Sequence, residues 1–344
     1  MSVREFIKAM PKIELHVHLE GSVQPETLLE LAAQNRISLP ASDIEGLRSW
    51  YTFRDFNHFI DIYRRICDCL QTPDDFTRIT TELGRTMAAQ NIRYAEVTWT
   101  PASHVNQTLS FDALLAGINA GRAYAEREWG VRMNWIPDIS RCVPESAGPV
   151  VEWLTQSKSH NSGIVALGLG GPEVGWPPEM YETSFRTALA AGLHSNPHAG
   201  ETVGPASVWG AIRALKAERI GHGVRSVEDS ALVDYLIEHQ LHLEVNPTSN
   251  LCLKVYPTYT EHPLRALVEA GANVSVNTDD PALFNTTLTD EYLHAVEDCG
   301  LSIDQLEQTV FNAIKASYLP ETEKSIVQAE FRAEIDQLRA QHNV

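Results

Sequence analysis

Basic residues are scarce in this chain. Lys and Arg together number 27 against 45 Asp and Glu, a formal charge of −18. A phosphate backbone or an anionic bilayer repels so acidic a chain, so neither nucleic acid nor membrane is the expected partner. The imbalance leaves room for a local positive site, above all one that carries a metal. Cysteine is scarcer still. Cys67, Cys69, Cys142, Cys252 and Cys299 are odd in number and irregular in spacing, which excludes a disulfide framework. Reading all five as reduced thiols makes the expected location cytoplasmic. No apolar run approaches the ~18 residues of a membrane span, and MSVREFIKAM lacks the apolar core of a signal peptide. Oligomeric state leaves no trace in the sequence.

What is present is a coarse alternation. Apolar residues make up 43%, too many for a disordered chain. At ~150 residues per domain, 344 residues allow two domains, but one α/β barrel also runs to this size. Short apolar runs recur near 13–19, 92–99, 131–137, 164–169, 193–197, 219–222, 241–246 and 273–278. Helical patterns lie between them. One spans 110–129 behind Ser110 as N-cap, and others cover 205–217, 228–239 and 262–270. Eight strand-helix pairs fit a (β/α)8 TIM barrel, and an open doubly wound sheet would alternate in the same way. The polar run ends favour the barrel. His16 and His18, Gly170-Gly171, His198, His222, Asn246 and Asp279-Asp280 all fall where barrel strands meet their loops. The expectation is therefore a single domain over 1–344. Residues 38–91, with Trp50, Tyr51, Phe53, Phe56 and Phe59 and a helix near 54–70, extend the first strand-helix connection. They form either an extra helical layer or a lid.

Four motifs carry chemistry. In ELHVHLEG, 14–21, His16 and His18 share one face of a strand, as side chains two apart do, and two close imidazoles suit a metal. Taken alone they could equally be two satisfied histidines. In PHAGE, 197–201, His198 offers a third ligand and Glu201 a carboxyl group beside it. In RIGHG, 219–223, His222 sits between two glycines that permit close approach. In VSVNTDDP, 274–281, Asp279 and Asp280 end a buried strand. A helix-capping role is open to either, but beside three histidines they favour a hydrolytic metal site.

Together HVHLEG, HAGE, RIGHG and NTDDP resemble the adenosine deaminase family of the metal-dependent amidohydrolase superfamily, in order and in spacing. The resemblance extends to MPKIELHVHLEG and to YAEVTWTP at 94–101, and it covers roughly residues 10–320. It implies a (β/α)8 barrel with one Zn2+ per chain held by His16, His18, His198 and Asp279. It makes Glu201 the proton donor to purine N1 and His222 the residue that orients and deprotonates the attacking water. Asp280 contacts that water and purine N7, and the Gly171 N–H meets N3. His18 and Glu20 complete the substrate contacts. Superfamily members with two metals bridge them through a carboxylated lysine ending the fourth strand. IVALGLGG has no lysine, which leaves one metal.

Three positions depart from the family pattern. Glu20 stands where adenosine enzymes carry Asp, GLGGPE (168–173) replaces DLAGDE, and Asn246 replaces a Cys. None touches the implied metal or Glu201. The expected reaction is zinc-dependent hydrolytic deamination of the 6-amino group of adenosine or a 5′-modified adenosine such as aminodeoxyfutalosine. Free adenine is the alternative substrate. A non-catalytic zinc-containing nucleoside-binding protein and a hydrolase acting on a different amidine or amide bond are the other readings. His58, His104, His160, His194, His239, His242, His262 and His294 are assigned no role. Trp176, within 175–181, either lines the pocket or packs at a helix entry.

Overall fold

The computed structural model describes residues 2–105, 109–156 and 162–342; His160 lies outside them. Eight strands appear where the apolar runs place them: β1 (Lys12–His18), β2 (Ile92–Trp99), β3 (Arg132–Ser140), β4 (Ala166–Gly170), β5 (His194–Ala199), β6 (Arg219–His222), β7 (His242–Val245) and β8 (Val274–Val276). They pair in parallel in sequence order, as a (β/α)8 TIM barrel requires. Beyond β8 the ring closes against β1. The His18 N–H donates to the Asp279 carbonyl at 2.8 Å, and the Asp279 N–H donates to the His16 carbonyl at 3.0 Å.

A β-bulge shapes β1. Its register against β2 shifts between Glu14 and Val17, and the Leu15 N–H donates to the Asn277 side chain at 2.9 Å instead of to a strand carbonyl. A bulge turns a side chain relative to the plain alternation. Glu14 accordingly lines an outer cavity with Leu83 and Met87, while His16 reaches Glu244 inside the barrel. Buried Arg219 pairs there with Glu96 and, at 2.8 Å, with Glu244, and it stacks on Tyr318. A polar column thus replaces part of the usual aliphatic filling.

The helices follow from local chemistry. Phe111–Trp129 starts where the Ser110 hydroxyl accepts the Ala113 N–H and stops at left-handed Gly130, φ 70°. Leu264–Glu269 ends before Gly271, φ 88°. Between β1 and β2 lie the helices Pro25–Gln34, Ile44–Trp50, Phe56–Asp68 and Pro73–Ala89. Phe56–Asp68 packs by its aromatic face, with Phe59 5.6 Å from Phe284 in a stacked pair. Among the described residues no helix is long and apolar enough to cross a membrane.

Candidate active site

Three strand ends bring His16, His18, His198 and Asp279 together, with one donor atom from each lying within 4.8 Å of the others. The Nε2 atoms of His16 and His18 each stand 3.2 Å from Asp279 Oδ1. The His18 and His198 Nε2 atoms face each other at 3.1 Å. All four side chains are buried, and His16 Nε2 has no hydrogen-bond partner. Imidazoles converging on a carboxylate form a donor set that fits a divalent cation. Two of the site residues sit in left-handed backbone that only glycine adopts freely: Asp279 at φ 67° and His222 at φ 62°. Such strain is typical of functional positions, at ~1–3 kcal/mol each.

Outer partners fix the cluster. His16 Nδ1 meets Glu244 Oε2 at 2.9 Å, and Asn196 donates to Glu244 at 3.1 Å. The Ser249 hydroxyl donates to Asp279 Oδ2 at 2.7 Å. A carboxylate behind a ligating imidazole sets its tautomer and raises its basicity. Burial opposes the His16 imidazolium, but the Asp279 and Glu244 carboxylates beside it outweigh that and bring its pKa to about 9. Burial drives His198 well below its ordinary range, and the neighbouring His16 and His18 add to that.

Glu201 stands beside the cluster, 3.8 Å from His222 Nε2. Burial pushes its carboxyl group well above the ordinary range, with Asp279 and Glu173 adding repulsion. Its Oε1 has no hydrogen-bond partner. The loop that carries it is pinned by Glu173, which accepts the N–H groups of Gly200, Glu201, Thr202 and Val203 at 2.7–3.3 Å and the Ser207 hydroxyl. His222 lies 3.7 Å from Asp279, and burial lowers it to about 4, so it is neutral at pH 7. Asn246 and Asn250 amides face its Nδ1 at 3.3 and 3.4 Å. Burial raises Asp280 well above its ordinary range, and Asp279 raises it further. Gly21 makes room for Asp280: a Cβ there would fall 1.7 Å from Asp280 Oδ1.

His18, His198, Glu201, His222, Asp279 and Asp280 open onto one cavity, walled also by Gly171, Asp138, Phe56, Phe59, Tyr63 and Arg64. It leaves about 90 Å³ of free space. A larger space of about 720 Å³, lined by Glu14 and Phe284, lies outside the barrel and holds none of the donor cluster. Gly171 follows β4 at φ 89°. Glu20 is fully buried behind this wall, accepting from the Thr100 N–H at 3.0 Å and the Tyr63 hydroxyl at 3.1 Å and meeting His104 Nε2 at 2.9 Å. Trp176 is half-buried and is not part of the wall.

Sequence reasoning missed Asp138, Glu173, Glu244, Arg219, Tyr63, Arg64 and His104. Asp138 is buried at the β3 end, its Oδ1 without a hydrogen-bond partner, and burial lifts its pKa to about 7. The signal was the glycine run. Gly168 pairs with Asp138, and a Cβ on Gly170 would fall 2.4 Å from Asp138 Oδ2. The departure GLGGPE thus clears space for an acid on the neighbouring strand.

Comparison with known proteins agrees with this geometry. The family model described as adenosine deaminase matches residues 11–334. The aminodeoxyfutalosine deaminase of Streptomyces avermitilis is 41% identical over 329 residues, covering 95% of this chain and 92% of that protein. The crystal structure of an adenine deaminase from Arthrobacter aurescens superposes with a TM-score of 0.90 at 33% identity, covering 96% of this chain and 99% of that one. An amidohydrolase from Burkholderia ambifaria with bound Zn superposes with a TM-score of 0.92 at 27% identity, over 100% of this chain and 96% of the other.

Proposed function

The chain belongs to the adenosine deaminase family, and from that premise we propose that it hydrolyses the 6-amino group of a 5′-modified adenosine such as aminodeoxyfutalosine. The product is the 6-oxo purine and ammonia. Hydrolytic removal of an amino group is the family's reaction, and the wall of this cavity carries the groups it needs. We assign one zinc ion per chain to His16, His18, His198 and Asp279. A divalent cation in such a site lowers the pKa of a coordinated water toward 7.

The chain's own groups do the rest. Addition of water at C6 moves electron density onto N1, where a proton must arrive. Glu201, kept protonated by burial, holds that proton. His222 is neutral and takes a proton from the attacking water. The Asn246 amide nitrogen lies 3.3 Å from both His222 Nδ1 and the Glu244 carbonyl and holds the imidazole in place. Asp280 orients the water and contacts N7, and the Gly171 N–H faces N3. His222 or Asp280 passes a proton to the departing ammonia. His18 and Glu20 complete the substrate contacts, Glu20 through Tyr63. The chain works as one domain, with helix Phe56–Asp68 as the cover. About 90 Å³ is below the ~300–1,000 Å³ of ligand pockets, so this cover moves outward to admit substrate. Free thiols at all five cysteines suit the cytoplasm, where we place it.

The observation that carries this reading is the buried, loop-pinned Glu201 beside a four-donor cluster. Free adenine is the second reading, favoured by the likeness to an adenine deaminase and by Glu20 being shielded from the cavity. A panel of aminodeoxyfutalosine, methylthioadenosine, adenosine and adenine, followed by ammonia release, separates the two. Glu201→Gln is expected to keep its metal by elemental analysis and to lose turnover by about 10²–10⁴-fold, the usual contribution of a positioned proton donor. A variant turning over at the wild-type rate refutes the role.

A further inference from the structure

We propose that the larger space outside the barrel is a second binding site for a small organic cation with an apolar body, and that its occupant slows turnover in the catalytic cavity. The space measures about 720 Å³, within the ~300–1,000 Å³ of ligand pockets. Glu14 forms part of its wall although only 2% of that residue is exposed. Glu14 Oε1 accepts both the Thr278 N–H, at 3.2 Å, and the Thr278 hydroxyl. Oε2 takes no hydrogen bond or ion pair among the described residues, and protein does not enclose it, so it faces the cavity. Lys12, on the same strand, gives its ammonium to the carbonyls of Lys8, Met10 and Gln90 at 2.9–3.1 Å. The deamination chemistry makes no use of Glu14.

A buried carboxyl group with an unused acceptor costs free energy that an N–H donor recovers, and a charged donor recovers most. Leu83, Met87 and Phe284 supply an apolar lining around it. Arg48, the single Lys or Arg on the wall, is exposed, which leaves no cation among the buried residues of that wall. The formal charge of −18 draws cations toward the chain as a whole. An ammonium or amidinium on a short apolar frame fits these walls. One turn of chain borders both spaces: Asp280 faces the catalytic cavity, and residues 281–288 line the outer one. The Phe284 N–H donates to the Asp280 carbonyl at 3.0 Å. The Phe284 ring stacks on Phe59 and meets Phe53 edge-on, each at 5.6 Å. A guest packed on Phe284 braces that ring against Phe59. It thereby holds helix Phe56–Asp68 over the catalytic cavity, where the helix has to move for substrate to enter.

Calorimetry on the zinc-loaded enzyme tests the site with benzylamine, its neutral counterpart benzyl alcohol, and putrescine, a diamine without a ring. Benzylamine is expected to bind on the order of tenfold or more tighter than benzyl alcohol, the size of one charged hydrogen-bonding contact. Glu14→Gln, nearly the same in shape, should bring that ratio near one. Thr86→Trp, which fills the space from helix Pro73–Ala89 and alters no charge, should abolish benzylamine binding. Putrescine binding that Glu14→Gln weakens equally supports the site with an alkyl diamine as its natural occupant. An amine-to-alcohol ratio near one in wild type, or one that Glu14→Gln leaves unchanged, overturns the site. Saturating benzylamine should also lower deamination roughly fivefold at every substrate concentration, the low end of couplings between distinct sites, in wild type and not in Thr86→Trp. Simple competition with substrate would place benzylamine in the catalytic cavity and overturn the outer site. An undiminished rate with benzylamine bound would overturn the coupling. Binding through Glu14 by a chain that deaminates no aminopurine would sink the proposed reaction and leave the site standing.

Discussion

Glu201 owes its place to a side chain three strands away in the ring order from the first histidines. Glu173 gathers four consecutive N–H groups of the 200–203 loop, and no other acceptor replaces it. Glu173→Ala is expected to leave those donors unsatisfied, at ~1–3 kcal/mol for a buried group. Turnover should fall at least about tenfold while zinc content stays near one per chain. Steady-state assays alongside elemental analysis check this, and an unchanged kcat would show that the loop holds itself. The residues legible in the sequence share a property: each belongs to a short motif at a strand end. His16, His18, His198, His222, Glu201, Asp279 and Asp280 could be named without coordinates, and the fold brings them to one place. Glu244 and Arg219 could not. Glu244 touches His16 across a separation of 228 residues, and Arg219 touches Glu96 across 123. Glu244 stands in no motif, and Arg219, although it opens RIGHG, gives no sign in the sequence of its distant partner Glu96. Glu20 was legible as an acid, but not as one enclosed by Thr100, Tyr63 and His104.

Among the elements, the strands were legible because parallel barrel strands are buried on both faces and read as continuous apolar runs. Phe111–Trp129 was legible because Ser110 opens it and Leu114, Ile118 and Ala125 share its buried face. The helices Val3–Ala9 and Glu321–His342 were not read. The second is 22 residues long and buries only Phe331, Ile335 and His342, too few to write a periodic stripe. It nevertheless meets the first, with His342 against Phe6 at 6.3 Å. Helix Leu288–Glu297 carries a testable charge. Glu291 accepts from the Thr248 N–H at 3.1 Å and the Thr286 hydroxyl at 2.7 Å, yet burial lifts its pKa from 4.5 to about 7. Between those values the folded chain holds a proton that the unfolded chain has released. Stability therefore falls as pH rises through that window, by up to about 3 kcal/mol for a shift of this size. Thermal melts at pH 5 and pH 8 should show wild type losing more than Glu291→Gln between the two. Equal losses would mean that Glu291 is ionised throughout.

At the scale of the whole molecule, the donor cluster draws on the first, fifth and eighth strands. A ligand bound only by the folded state stabilises it by about 4 kcal/mol at a thousand times its dissociation constant. Removing a bound divalent ion with a chelator should lower the melting temperature by roughly five degrees, and zinc should restore it. His16→Ala should melt low and gain nothing from zinc. A melting temperature indifferent to chelation would separate the ion from the fold. The seam between the last strand and the first has one more consequence. It is made by the backbones of His16, His18 and Asp279, the same residues that supply donors, and its partners Leu15 and Asn277 are 262 residues apart. During translation the opening strand must wait, half paired, until nearly all of the barrel has left the ribosome. With the cation held as proposed, its capture would be the closing event of biogenesis, and a nascent chain stalled before Asp279 would be unsealed.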